Sequence, residues 1–108
     1  MDWLTPIREC FDVNRVYYTQ HARREMEAEE SGPVLDEGVC QAVLAGEVIR
    51  EYADDKPYPS VLILGSTHDR RPLHIVCAYD AEEDRAFIVT VYQPDPVQWI
   101  DYRTRRTP

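Results

Sequence analysis

Apolar residues recur every three to four positions up to Gly46 and every one or two positions beyond it, a change from helix to strand period. In "LTPIRECFDV", Thr5 is a good N-cap and Pro6 suits a first helical position, where its missing N–H costs nothing. Trp3, Ile7, Cys10 and Phe11 then form one apolar face, which predicts a docked N-terminal helix within residues 1–14. "RVYY" reads as a brief extended segment. Thr19 is the expected N-cap of a second helix, with Tyr18, Ala22 and Met26 as its apolar stripe, His21 at the rim of that stripe, and Arg23 set to pair with Glu27. "SGP" at residues 31–33 stops it, because Gly32 turns freely and Pro33 cannot continue a helix. Asp36 is placed to cap a third helix, with Leu35, Val39, Ala42 and Val43 on one face and Gly46 closing it, so that two helices form an antiparallel hairpin.

Strands follow. "EVIREY" is the first, and "DDKPYP" breaks both helix and ladder. "SVLIL" is a continuous apolar run expected to be buried on both faces. "GSTHDRRP" and "DAEEDR" read as hairpin loops leading into "LHIVCAY" and "AFIVTVY". "QPDPVQWIDYRTRRTP" ends in a basic tail over residues 100–108, anchored by Trp99. Helices followed by a meander predict an α+β fold: a single domain with a helical hairpin packed on one face of an antiparallel sheet of about four strands, plus an extra short N-terminal helix.

Composition narrows the function classes. With 108 residues and no long apolar run, the chain is expected to be one cytoplasmic domain with no membrane partner, and "MDWLTPIREC" lacks the pattern of an export signal. Cys10, Cys40 and Cys77 are isolated from one another in sequence and lie in apolar patterns, which suits buried thiols. His68, His74 and Cys77 have metal-like spacing but span a turn and lack a fourth suitable ligand, so neither metal nor cofactor is expected. The net charge of -8 repels polyanions, which disfavours RNA or a ribosome, and suits a basic protein partner; the cations are nearly all arginine and clustered, notably at Arg70–Arg71 and Arg103–Arg106.

"YTQHA", Met26, "VLAGEVIREY", "DDKPYPSVLILG", "RRPLHIVCAYD" and "FIVTVYQPDPVQW" together resemble the bacterial domain-of-unknown-function 4258 family, and residues 15–99 form the family-like core. That family is distantly similar to the RelE/ParE and BrnT-like toxins of toxin–antitoxin pairs, which set a helical hairpin beside an antiparallel sheet. The resemblance implies ribonuclease-like or ribosome-associated toxin chemistry and a small antitoxin-like partner. In the family pattern arginines stand four and eight residues after the histidine. Here Glu25 and Glu29 stand there instead, unless an insertion before "SGPVLDEG" shifts the register, and this weakens a phosphate-binding surface.

RNA cleavage by a 2′-hydroxyl needs a base, an acid and cations for the phosphorane. His21, His74, Tyr79 and Tyr92 can move protons, while Arg24, Arg71 and the tail arginines can neutralise charge. The candidate catalytic set is therefore His21, Arg24, Arg71, His74 and Tyr92. Each has a plainer reading: His21 as a helix-rim residue beside Glu25, His74 as a buried strand histidine with one structural hydrogen bond, and the arginines as solvated. Two functions follow, a toxin-like protein acting on RNA or a ribosome, and a non-catalytic protein-interaction domain using an acidic helix face and the "DDKPYP" loop.

Overall fold

The computed structural model describes residues 1–106, and the last two positions of the basic tail, 107 and 108, lie outside the described residues. The order is α1 (Leu4–Asp12), β1 (Val16–Tyr18), α2 (Gln20–Ala28), α3 (Asp36–Ala45), β2 (Glu47–Tyr52), β3 (Ser60–Ser66), β4 (Pro72–Asp80), β5 (Arg85–Tyr92), β6 (Trp99–Ile100) and β7 (Thr104–Arg105).

Helix ends follow the local chemistry, with corrections. Thr19 holds an extended backbone, and its Oγ1 accepts from Ala22 N at 3.1 Å while donating to the Val89 carbonyl at 3.2 Å. Thr5 is not the cap of α1. The Asp2 carboxylate, a stronger acceptor, takes the Thr5 N–H at 3.2 Å as well as its hydroxyl, and the helix begins at Leu4. Asp36 is the first residue inside α3 rather than its cap, and its carboxylate pairs with Arg23, which thereby leaves Glu27. Leu35 precedes that helix and is 68% exposed, so it does not belong to the buried face. Gly46 closes α3 as expected. The Arg8 guanidinium donates to the Val43 and Gly46 carbonyls at 3.2 and 2.9 Å, occupying acceptors that a helix C-terminus leaves open and fastening α1 to α3.

The main sheet has five strands in the order β1-β5-β4-β3-β2, and it is mixed, which corrects the four-stranded antiparallel expectation. "RVYY" supplies the fifth strand: β1 runs parallel to β5, with Val16 opposite Ala86 and Tyr18 opposite Ile88. The remaining neighbours are antiparallel, and bulges interrupt β2 at Ile49 and β5 at Val89. The β5 bulge is where Thr19 docks, since its N–H and hydroxyl take the Ile88 and Val89 carbonyls. β6 and β7 form a separate two-stranded hairpin.

Pleating gives the sheet two faces. Val61 and Ile63 of β3, Leu73, Ile75 and Cys77 of β4, and Ala86, Ile88 and Val91 of β5 join Ala22, Met26, Val39, Ala42 and Val43 in one core. α2 lies on β5, α3 on β3 and β4, and α1 against α3 and β5. Burying each valine, leucine, isoleucine or methionine side chain among these is worth roughly 1.5–3 kcal/mol, which is what holds three short helices in place. No helix among the described residues is long and apolar enough to cross a membrane.

Candidate functional site

His74 and Tyr92 sit opposite each other on β4 and β5. Their neighbours Ile75 and Val91 face the helices, so both point to the other face. There the C-terminal hairpin covers them. Trp99 is buried and meets the His74 ring edge-on with centroids 4.4 Å apart, so its expected anchoring role holds. Asp101 and Tyr102 adopt left-handed backbone conformations at φ 51° and 61°, and the turn presents the Tyr102 carbonyl to His74 Nε2 at 2.5 Å. That carbonyl can only accept, so the proton lies on Nε2, and Nδ1 accepts from the Tyr92 hydroxyl at 2.9 Å. Burial pushes the His74 pKa down and the Tyr92 pKa up. Both groups are therefore neutral near pH 7 and fully partnered.

The other three candidates stand elsewhere. His21 is exposed on α2, with Nε2 3.2 Å from Glu25 Oε1. Arg24 is exposed on the same helix. Arg71 is a clamp: it donates to Gln93 Oε1 at 2.7 Å, to the Pro33 carbonyl at 3.0 Å and to the Gly32 carbonyl, tying the α2–α3 turn to the start of β4. The structure brings His74 and Tyr92 together and puts the sheet between that pair and α2. Tyr79, another possible proton carrier, is half-buried and donates its hydroxyl to Asp84 Oδ1 at 2.6 Å, which pushes its pKa up to about 12. His74 and Cys77, three positions apart on one strand, point to opposite faces. Among the described residues no three His, Cys, Asp or Glu side chains gather to hold a metal ion.

Glu25 and Glu29 have a structural role that their sequence positions did not reveal. β1 covers the edge of β5 only as far as Ile88. Beyond it, Glu25 Oε1 accepts from Val91 N at 3.1 Å and Glu29 Oε2 from Gln93 N at 3.2 Å. Two carboxylates, one on α2 and one at its C-cap, thus stand in for a missing neighbouring strand, a role arginine cannot fill because it has no acceptor. Replacing either by alanine is expected to cost about 1 kcal/mol and to speed amide exchange at Val91 or Gln93. Unchanged exchange rates at both amides would refute the edge-capping role.

No curated protein and no solved structure gives a significant match to the chain. Residues 18–93 match the domain of unknown function DUF4258, and this stretch spans Thr19, His21, both edge-capping glutamates, Arg71 and the His74–Tyr92 pair. The chain belongs to the DUF4258 family.

Proposed function

We propose that this protein is a non-catalytic interaction domain that engages a basic partner protein, a small cognate antitoxin-like protein being one candidate. The observation that carries this reading is the dispersal of the candidate chemistry. His74 and Tyr92 saturate each other beneath Trp99 and the Tyr102 carbonyl, while His21 and Arg24 stand on α2 across the sheet. Proton transfer to a phosphodiester needs base, acid and cation within hydrogen-bond reach of one another's substrate atoms. The net charge of -8 adds long-range repulsion of polyanions and attraction of basic proteins.

The competing reading is a RelE/ParE-like toxin acting on RNA or the ribosome. It is favoured by Arg103, Arg105 and Arg106 grouped on the C-terminal hairpin, although Arg103 pairs with Glu47 and Arg105 lies over Trp99. Expression without a partner separates the two. Normal growth with intact RNA, for both the parent and His21→Ala, is the expected result. Growth arrest with RNA cleavage that His21→Ala relieves would establish the toxin reading instead.

A further inference from the structure

The loop between β2 and β3 carries Pro57, Tyr58 and Pro59, which with Trp3, Pro6 and Tyr79 line a groove of about 530 Å³. Three rings and three prolines make its walls rigid as well as apolar. The Trp3 indole N–H donates to Glu51 Oε1 at 2.6 Å. Tyr58 stacks on Phe87 at a 5.6 Å centroid separation, nearly parallel, and its hydroxyl accepts from Arg85 at 3.3 Å. Tyr79 is held by its bond to Asp84 at 2.6 Å. A ligand entering here need not freeze these side chains, so little of the contact energy is lost to ordering them.

Among the described residues the charged side chains of the lining are all acidic: Asp2, Asp80 and Glu82 contribute to it, and no lysine or arginine does. Asp80 is already neutralised by Arg85 at 2.9 Å, which leaves Asp2 and Glu82 to act on a ligand. Phosphate is repelled by such a site, whereas a cationic side chain is favoured at either end of the apolar floor. Aromatic and proline walls suit a polyproline II segment, whose ring faces pack flat against them and whose conformation is largely set before binding.

We propose that this groove binds an extended, proline-containing, basic segment of a partner protein. This deepens the interaction-domain reading and rests on it. The segment's prolyl and aliphatic groups lie against Trp3, Tyr58 and Tyr79, and its arginine or lysine side chains approach Asp2 and Glu82.

The two tryptophans make the test specific, because Trp3 lines the groove while Trp99 packs beside His74 under the C-terminal hairpin. The full chain, labelled with ¹⁵N, is titrated with a capped peptide RPLPRLPR and with its acidic counterpart EPLPELPE. The expected result is a saturable shift of the Trp3 indole N–H and the Ala81 amide with the basic peptide only, and no shift of Trp99. Glu82→Lys, at an exposed position that leaves the core intact, weakens this binding by about three- to tenfold, and Tyr58→Ala by at least about tenfold. Equal binding of both peptides would overturn the charge assignment. Shifts at Trp99 without Trp3 would overturn the groove while leaving the interaction reading in place, and so would a basic partner captured equally well by Glu82→Lys and Tyr58→Ala. Silence of both indoles up to millimolar peptide would refute the groove. RNA cleavage by the purified chain would remove the underlying reading as well.

Discussion

Gly65→Ala is expected to destabilise the protein by about 4 kcal/mol, a large share of the roughly 5–15 kcal/mol that a domain has in reserve. Gly65 lies in β3 directly beneath α3, and a Cβ built on it would stand 1.9 Å from the Ala42 carbonyl oxygen, 2.6 Å from the carbonyl carbon and 2.9 Å from its Cα. All three are backbone atoms of a helix, so no rotamer change relieves the overlap. Either α3 lifts from the sheet, uncovering Val39 and Val43, or the strand shifts register. At roughly 4–8 °C per kcal/mol for a small domain, the melting temperature should fall by roughly 15–30 °C. Gly38→Ala is the matched control, since its nearest contact is a Thr67 methyl at 3.3 Å and alanine favours the helix; it should stay within about 1 kcal/mol of the parent. If the Gly65 variant melted within a few degrees of the parent, α3 could not be seated where it is described.

His74→Ala should cost about 3 kcal/mol by equilibrium urea unfolding. The substitution empties a fully buried site under Trp99 and deprives two polar groups, the Tyr92 hydroxyl and the Tyr102 carbonyl, of their partner. It should also alter the pH dependence. Burial lowers the folded-state pKa of His74 below its ordinary value of 6.5, so the unfolded chain takes up the proton first. The contribution of His74 to stability is accordingly complete above about pH 6.5 and lost progressively as pH falls below it towards the depressed folded value. The difference in unfolding free energy between the parent and His74→Ala should therefore shrink on acidification from pH 7.5 to 5. A constant difference across that range would mean that His74 titrates normally and is not enclosed.

Hydrophobic period and end signals carried most of the helix and strand pattern. Thr19, Gly46, the apolar run "SVLIL" and the turn segments before Pro72 and Arg85 are local features, and local chemistry decides them. "RVYY" was legible as extended, but whether it joins a sheet depends on a partner 70 residues away, Val16 lying opposite Ala86. The connection permits its parallel direction: α2, α3 and three strands separate β1 from β5, so no tight hairpin forces the pair to be antiparallel. For the candidate site, the buried strand position of His74 was legible, but the cover over it was not. Trp99 stood out as an anchor, whereas the left-handed turn at Asp101 and Tyr102 that aims a carbonyl at His74 has no glycine to announce it. Arg71 read as a phosphate ligand because its three acceptors, two of them backbone carbonyls in another loop, are invisible along the chain.

By itself the sequence determined which segments are helical or extended, where the turns fall, the acidic bulk and the side chains available for chemistry, because each depends on neighbours a few bonds away. Tertiary structure decided what those side chains do. Glu25 and Glu29, which looked like lost phosphate contacts, complete the edge of β5, and His74, which looked like a base, is a neutral partner sealed beneath Trp99. Both outcomes have one physical cause: a polar group's role is set by the donor or acceptor that burial leaves it facing, and that group comes from a distant part of the chain.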